Sequence, residues 1–333
     1  MPSDSRLTRR DLLKALPMAA ALASCGRTPP YRRSDFIVPA RSAVGVFPAP
    51  TYDVDFADVI SRGLRELGIN VTGRSVLLKP NLVEYAPGTV INTHPLVVAG
   101  AATALLRAGA REVVVGEAPG HRRDIEYLLS ITGLADHLRE MRIRFVDLNH
   151  DDVRVIALKS HFTGLQQIAL PVEVLRSDFV VSLPKLKTHH WAAMTASMKN
   201  FFGVVPGAIY GWPKNILHFH GIDNSILDLN ATIRPHLTIV DAVVAMEGDG
   251  PIMGKPRQTG FLAMGTDLVA VDATCARIIG LDPAKITYLN EASKFLGHLE
   301  TSRIDQRGEN PSRYRTRFEV LPQFRALQLA DGA

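Results

Sequence analysis

Lys185, Lys187, His189 and His190 crowd into one short stretch, and Lys199 with Asn200 follow soon after. Lysine offers a point charge for a phosphate or carboxylate, and histidine can ligate a metal or move protons near neutral pH. The spacing is read as an anion site. Lys185, Lys187 and Lys199 would hold the charge, Asn200 would assist, and His189 or His190 would be the general acid or base. Adjacent histidines are not a metal motif by spacing, because neighbouring side chains rarely point at one ion. A helix beginning after Trp191 could add its first backbone N–H groups to the same anion. A solvated basic turn is the plainer alternative for these residues.

The acidic counterpart is Glu247-Gly248-Asp249-Gly250-Pro251. Two carboxylates on a tight turn can pair with lysines or hold Mg²⁺ or Ca²⁺, so Glu247 and Asp249 are candidate metal ligands and Glu247 a candidate opposing base. Asp-Gly is also a common turn dipeptide. Lys79-Pro80-Asn81 adds Lys79 and Asn81 as further candidates for substrate binding. Asp241 could face the core or the same edge, Asp267 reads as a helix cap, and Asp272 lies on the helix itself. His94 precedes a helix and reads as structural. The histidines of His218-Phe219-His220 would share one side if extended, and they rank below the 185–200 cluster. Cys275 sits among small and apolar neighbours and reads as a core thiol. A single cysteine can neither close an intrachain disulfide nor hold an iron–sulfur cluster by itself.

These residues can act together only if the chain brings them to one edge. Strand patterns occur at 44–47, 75–78, 112–115, 143–147, 179–183, 237–245 and 260–264. Helical patterns occur at 56–67, 96–108, 124–139 (broken near Gly133), 193–202, 224–233, 267–279 and 285–296. Thr93 is a good N-cap for the second helix, with Pro95 in its first turn and Gly109 beyond its end. Between 151 and 176 apolar and polar residues alternate, which predicts an antiparallel excursion or hairpin insertion. After 301 the chain is polar and would wrap the surface or add one strand near 318–321. The alternation predicts an α/β fold with a mainly parallel wound sheet flanked by helices. Four strands run into turns rich in Gly, Pro and polar residues, at 79–81, 116–121, 184–190 and 246–251. Ligands of such sheets bind where these loops converge.

The N-terminus carries an address. Thr8-Arg9-Arg10-Asp11-Leu12-Leu13-Lys14 precedes a short apolar stretch and then Leu22-Ala23-Ser24-Cys25. Paired arginines ahead of a weakly apolar segment make a twin-arginine export signal, and the ending resembles a bacterial lipobox that would lipidate Cys25. The expected organisation is a signal peptide at 1–24, a lipidated tether at 25–40, a single α/β domain at 41–300 and a C-terminal extension at 301–333. The expected location is periplasmic or cell-envelope, with the twin-arginine translocase and the membrane as partners. That route carries folded proteins, often with a cofactor inserted. Residues 1–24 hold four basic and two acidic side chains, so the formal charge of +5 falls to +3 without them. No arginine-rich helix, zinc knuckle or basic tail suggests a nucleic-acid partner. Beyond 12–23 no apolar run approaches the roughly 20 residues of a membrane span.

No Gly-x-Gly-x-x-Gly follows the first strand, and the phosphate-loop, Gly-x-Ser-x-Gly and His-Glu-x-x-His motifs are missing. Dinucleotide oxidoreductase, NTPase, serine hydrolase and zincin readings lose weight accordingly. The ordered pieces Lys79-Pro80-Asn81, Thr93-His94-Pro95, 184–190, Lys199-Asn200, Phe202-Gly203, 247–251 and Asp267 to Asp272 resemble the domain-of-unknown-function family numbered 362. The resemblance covers about 44–297. It implies that many relatives carry ferredoxin-like cysteine clusters, which this sequence lacks, so an iron–sulfur cofactor is not expected. A fainter similarity links His189-His190, Lys199 and Pro206-Gly207 to the nickel-pincer lactate racemase family. It suggests proton or hydride chemistry beside a carboxylate. Together these readings predict an exported, lipid-tethered enzyme acting on a small anionic substrate, metal-assisted if Glu247 and Asp249 hold an ion. The alternative is a tethered anion- or metal-binding protein without catalysis.

Overall fold

The computed structural model describes residues 29–120 and 124–330; the expected export signal and Cys25 lie outside them. The first half runs β1 (Ser42–Pro48), α1 (Phe56–Glu66), β2 (Ser75–Pro80), α2 (Pro95–Arg107), β3 (Glu112–Glu117), α3 (Ile125–Ile131), α4 (Leu134–Glu140), β4 (Phe145–Asp147), β5 (Val153–Ala157), β6 (Gln167–Pro171) and α5 (Val172–Arg176). The second half runs β7 (Phe179–Leu183), β8 (Lys185–His189), β9 (Ala193–Thr195), α6 (Ser197–Asn200), α7 (Gly207–Tyr210), α8 (Asn215–Phe219), α9 (Ile222–Ile233), β10 (Leu237–Glu247), β11 (Lys255–Gly265), α10 (Leu268–Ile278), α11 (Thr287–Ala292) and β12 (Ile304–Gly308).

The main sheet has the order β12-β1-β11-β10-β7-β2-β3-β4, with β8 on β10 and β9 on β8. From β10 to β4 it is parallel, whereas β11 runs antiparallel to both β10 and β1. Parallel strands need cover on both faces, and the period-two side-chain alternation shows it. Leu77, Val114, Val180 and Val240 turn to the face covered by α9, α10 and α11. Val76, Val113, Val115, Val181 and Ile239 turn to the face covered by α1 and α2. Both of those last helices start cleanly, Asp55 accepting from Asp58 N and His94 Nδ1 from Leu96 N. His94, one residue past the expected Thr93, is therefore the cap. Gly100 lets α2 approach α1, because a Cβ there would strike Phe56.

The alternating stretch after 151 forms the separate β5–β6 antiparallel hairpin. Two expected elements differ. The helix expected over 193–202 is only α6 followed by a 3-10 turn, because 193–195 pairs back on β8 as β9. The closing strand is β12, paired with the edge strand β1, rather than one near 318–321. Phe318 is instead buried, its N–H donating to Ile279 O. At the other end Tyr31 stacks on Phe295 with ring centroids 3.9 Å apart, so the chain is docked from there onward. Among the described residues no helix is long and apolar enough to cross a membrane.

Candidate functional site

Where β2 and β3 end, β8 and the segments after β9 and α7 close around a cavity of about 290 Å³. Its polar wall comprises Asn81, Glu117, Lys187, His189, His190, Thr195, Lys199, Asn200, Lys214 and His218; Leu82, Trp191, Phe202 and Pro213 form an apolar side. The position, at the carboxyl ends of parallel strands, is the one expected for a ligand of this architecture.

Beneath the wall lies a closed ion pair. Lys79 Nζ donates to Glu117 Oε2, to Asn200 Oδ1 (3.0 Å) and to Pro80 O (2.9 Å). Glu117 also accepts from Leu82 N and Ala118 N. Burial pushes the Glu117 carboxyl up and the Lys79 ammonium down, and each opposes the other's shift by its charge. Asn200 locks the arrangement, its Nδ2 donating to Lys79 O and Ser182 Oγ. Gly203 is required here, since a Cβ would overlap both Glu117 Oε1 and Lys79 Nζ.

Three ammonium groups surround the space above. Lys187 donates to Ile91 O at 2.8 Å and to Pro251 O at 3.4 Å. Lys214 donates to Ala118 O at 2.6 Å and to Phe202 O at 3.0 Å. Its backbone is left-handed (φ 70°), a conformation that costs a non-glycine residue about 1 kcal/mol or more. Lys199 is half-buried with its ammonium over the Phe202 ring, 5.4 Å from the centroid, and that ammonium makes no hydrogen bond or ion pair to a described residue. Burial lowers all three, most strongly Lys187; Lys199 falls to about 8 and Lys214 to about 7.

His189 Nδ1 accepts from Trp191 N (3.1 Å) and Ala192 N (3.2 Å), which assigns the ring proton to Nε2. Burial, then the Lys199 charge, pushes this imidazole well below its ordinary value, so it stays neutral. His190 lies at the rim with Nδ1 3.7 Å from Asp249 Oδ1. His218 Nδ1 lies 3.2 Å from Lys214 O. Two wall atoms, Asn81 Oδ1 and Thr195 Oγ1, are buried and have no hydrogen-bond partner among the described residues.

Other candidates go elsewhere. Lys185 is turned into a second, smaller cavity of about 210 Å³ with Tyr52 and His94. Its Nζ donates to Asp241 Oδ2 and Tyr52 Oη, both at 2.6 Å, and Asp241 also accepts from His94 N and Val243 N. Glu247 does not reach the cavity: its carboxylate accepts from Glu319 N at 3.0 Å and faces Arg257 at 3.6 Å. Glu247 and Asp249 therefore serve different partners. Among the described residues no group of three His, Cys, Asp or Glu side chains could hold a metal ion. The first N–H groups of α6, expected to meet the anion, donate instead to Asp272, at 2.7 Å from Ser197 and 3.0 Å from Met198. Asp267 caps α10 by accepting from Ala270 N, and Cys275 is fully buried.

Sequence reasoning passed over Glu117, Lys214 and Tyr52. A glutamate placed directly after the apolar run 113–116 was a usable signal for Glu117. No pattern marked Lys214, which takes part only because a glycine-rich turn folds it back.

A thylakoid-associated protein of Synechocystis is 33% identical over 221 residues, covering 64% of this chain; the match spans 65% of the relative's own length. Among solved structures, the lactate racemase apoprotein of Thermoanaerobacterium thermosaccharolyticum is 12% identical with a TM-score of 0.42, covering 73% of this chain and 59% of that one. A Thermotoga maritima protein is 15% identical with a TM-score of 0.37, covering 69% and 59%. The model of the domain of unknown function DUF362 matches residues 76–277, more than half of the sequence and the whole cationic cavity wall, and the chain belongs to that family.

Proposed function

We propose that the protein binds a small organic anion in the sheet-edge cavity and exchanges protons with it, working in the cell envelope on a lipid anchor. The carrying observation is Lys199. Its half-buried ammonium bonds to no described residue, and the one carboxylate in the wall, Glu117, is already bonded to Lys79. A buried cation without a partner is unfavourable, and a bound anion supplies the partner. His189 is held neutral with Nε2–H as its donor, suited to an oxygen that gains charge during reaction. His190 and Asp249 set an imidazole and a carboxylate 3.7 Å apart at the rim.

Proton exchange is tested by incubating the full-length protein with small carboxylates and phosphate esters in ²H₂O and following deuterium incorporation by NMR. General acid–base groups contribute about 10²–10⁴-fold, so His189→Asn should slow exchange by that order while binding persists. Binding with no exchange in the unsubstituted protein would leave the second reading, a binding protein without catalysis. That reading draws support from the position of Glu247, away from the histidines.

The anchor rests on residues 8–25. The Synechocystis relative is named for its association with thylakoids, which supports a membrane-side location. Labelled fatty acid should enter the protein and be lost in Cys25→Ser; equal labelling of both would remove the anchor from the proposal.

A further inference from the structure

We infer that the ligand carries a dianionic headgroup, a phosphate ester or a dicarboxylate, gripped jointly by Lys187, Lys199 and Lys214. This rests on the anion-binding reading of the same cavity and specifies it. Glu117 is bonded to Lys79 in the floor, leaving three lysine amines in the wall with no carboxylate bonded to them among the described residues. Once all three amines are protonated around the ligand, a monoanion would leave two positive charges uncompensated. A dianion leaves one, carried by Lys199, which is partly open to water.

Hydrogen-bond capacity agrees with the charge. An ammonium has three donors. Lys187 and Lys214 each use two on backbone carbonyls, so each keeps one, and Lys199 keeps all three. Such a donor set suits a group with several acceptor oxygens. Burial lowers the proton affinity of all three, which a bound dianion would reverse. Phe202, Pro213 and Trp191 on the apolar side leave room for a small carbon body beside the headgroup.

The test is calorimetric titration of the full-length protein at pH 6.5 and constant ionic strength, with sulfate as dianion and acetate as monoanion. Sulfate should bind at least about tenfold more tightly. Lys199→Gln, which breaks no hydrogen bond within the described residues, should weaken sulfate about 10–100-fold and acetate less. Tighter phenyl phosphate or tighter succinate would support the inference and tell the two sources apart. Acetate binding as tightly as sulfate would overturn the dianion while leaving an anion site. Failure of every anion to bind would overturn both.

Discussion

Glu117 and Lys79 are bonded to each other at the base of the cavity, with side chains 1% and 0% exposed. Neither can serve as a substrate group without first breaking that bond. The pair instead fixes the ends of β2 and β3 against each other and sets the floor on which the other lysines stand.

Breaking this pair from one side should be severe. Glu117→Gln leaves a buried ammonium without its counter-charge, and loss of one partner of a buried pair costs about 3–5 kcal/mol. Replacing both at once (Lys79→Met with Glu117→Leu) should cost clearly less than the two single changes added together. Urea denaturation midpoints measure this; additive costs would mean that the two side chains act independently.

Asp272 gives a pH signature. Burial pushes its carboxyl from 3.8 up to about 7, against the two N–H donors that lower it. Between those values the folded protein holds a proton that the unfolded chain has released, so this group's contribution to stability falls as pH climbs from about 4 to 7. Asp272→Asn removes the titration and turns an amide donor toward a backbone donor, a mismatch of about 1–3 kcal/mol. The stability gap between the two proteins should narrow from pH 4.5 to pH 7.5, and a widening gap would contradict the assignment.

Lys185 should separate stability from binding. Lys185→Met strips the buried Asp241 carboxylate of its cation, although Tyr52 Oη and two backbone N–H groups still donate to it. A lower melting temperature with sulfate affinity changed less than about twofold is expected, since this lysine serves the other cavity. A loss of affinity like that of Lys199→Gln would merge the two sites.

The difference between Lys185 and Lys187 shows what the sequence could not carry. Two residues apart on a strand, they look equivalent. β8 meets β10 with an irregular register, Lys185 beside Asp241 but Lys187 beside Met246, and the two ammonium groups diverge. Period-two and period-3.6 patterns exposed the sheet, most helices and the edge where the strands end, because burial on a fixed face dictates them. The partners of each polar group depend on contacts between distant segments, such as Asp272 capping α6 or Lys214 returning over Ala118. Local patterns do not encode those contacts. Glu247 misled for the same reason: its turn suited a metal, while the C-terminal segment supplied Glu319 N to its carboxylate.

Proton uptake on anion binding tests the cationic cavity most directly. Near pH 8 the empty site has Lys199 about half protonated and Lys214 largely neutral, given values of about 8 and 7. A bound anion favours the charged form of each, so binding must draw protons from solution. Sulfate titrations at pH 8 in two buffers of different ionisation enthalpy should show net uptake that shrinks at pH 6 and affinity that declines above pH 8. Binding with no proton uptake and no pH dependence over that range would contradict the account.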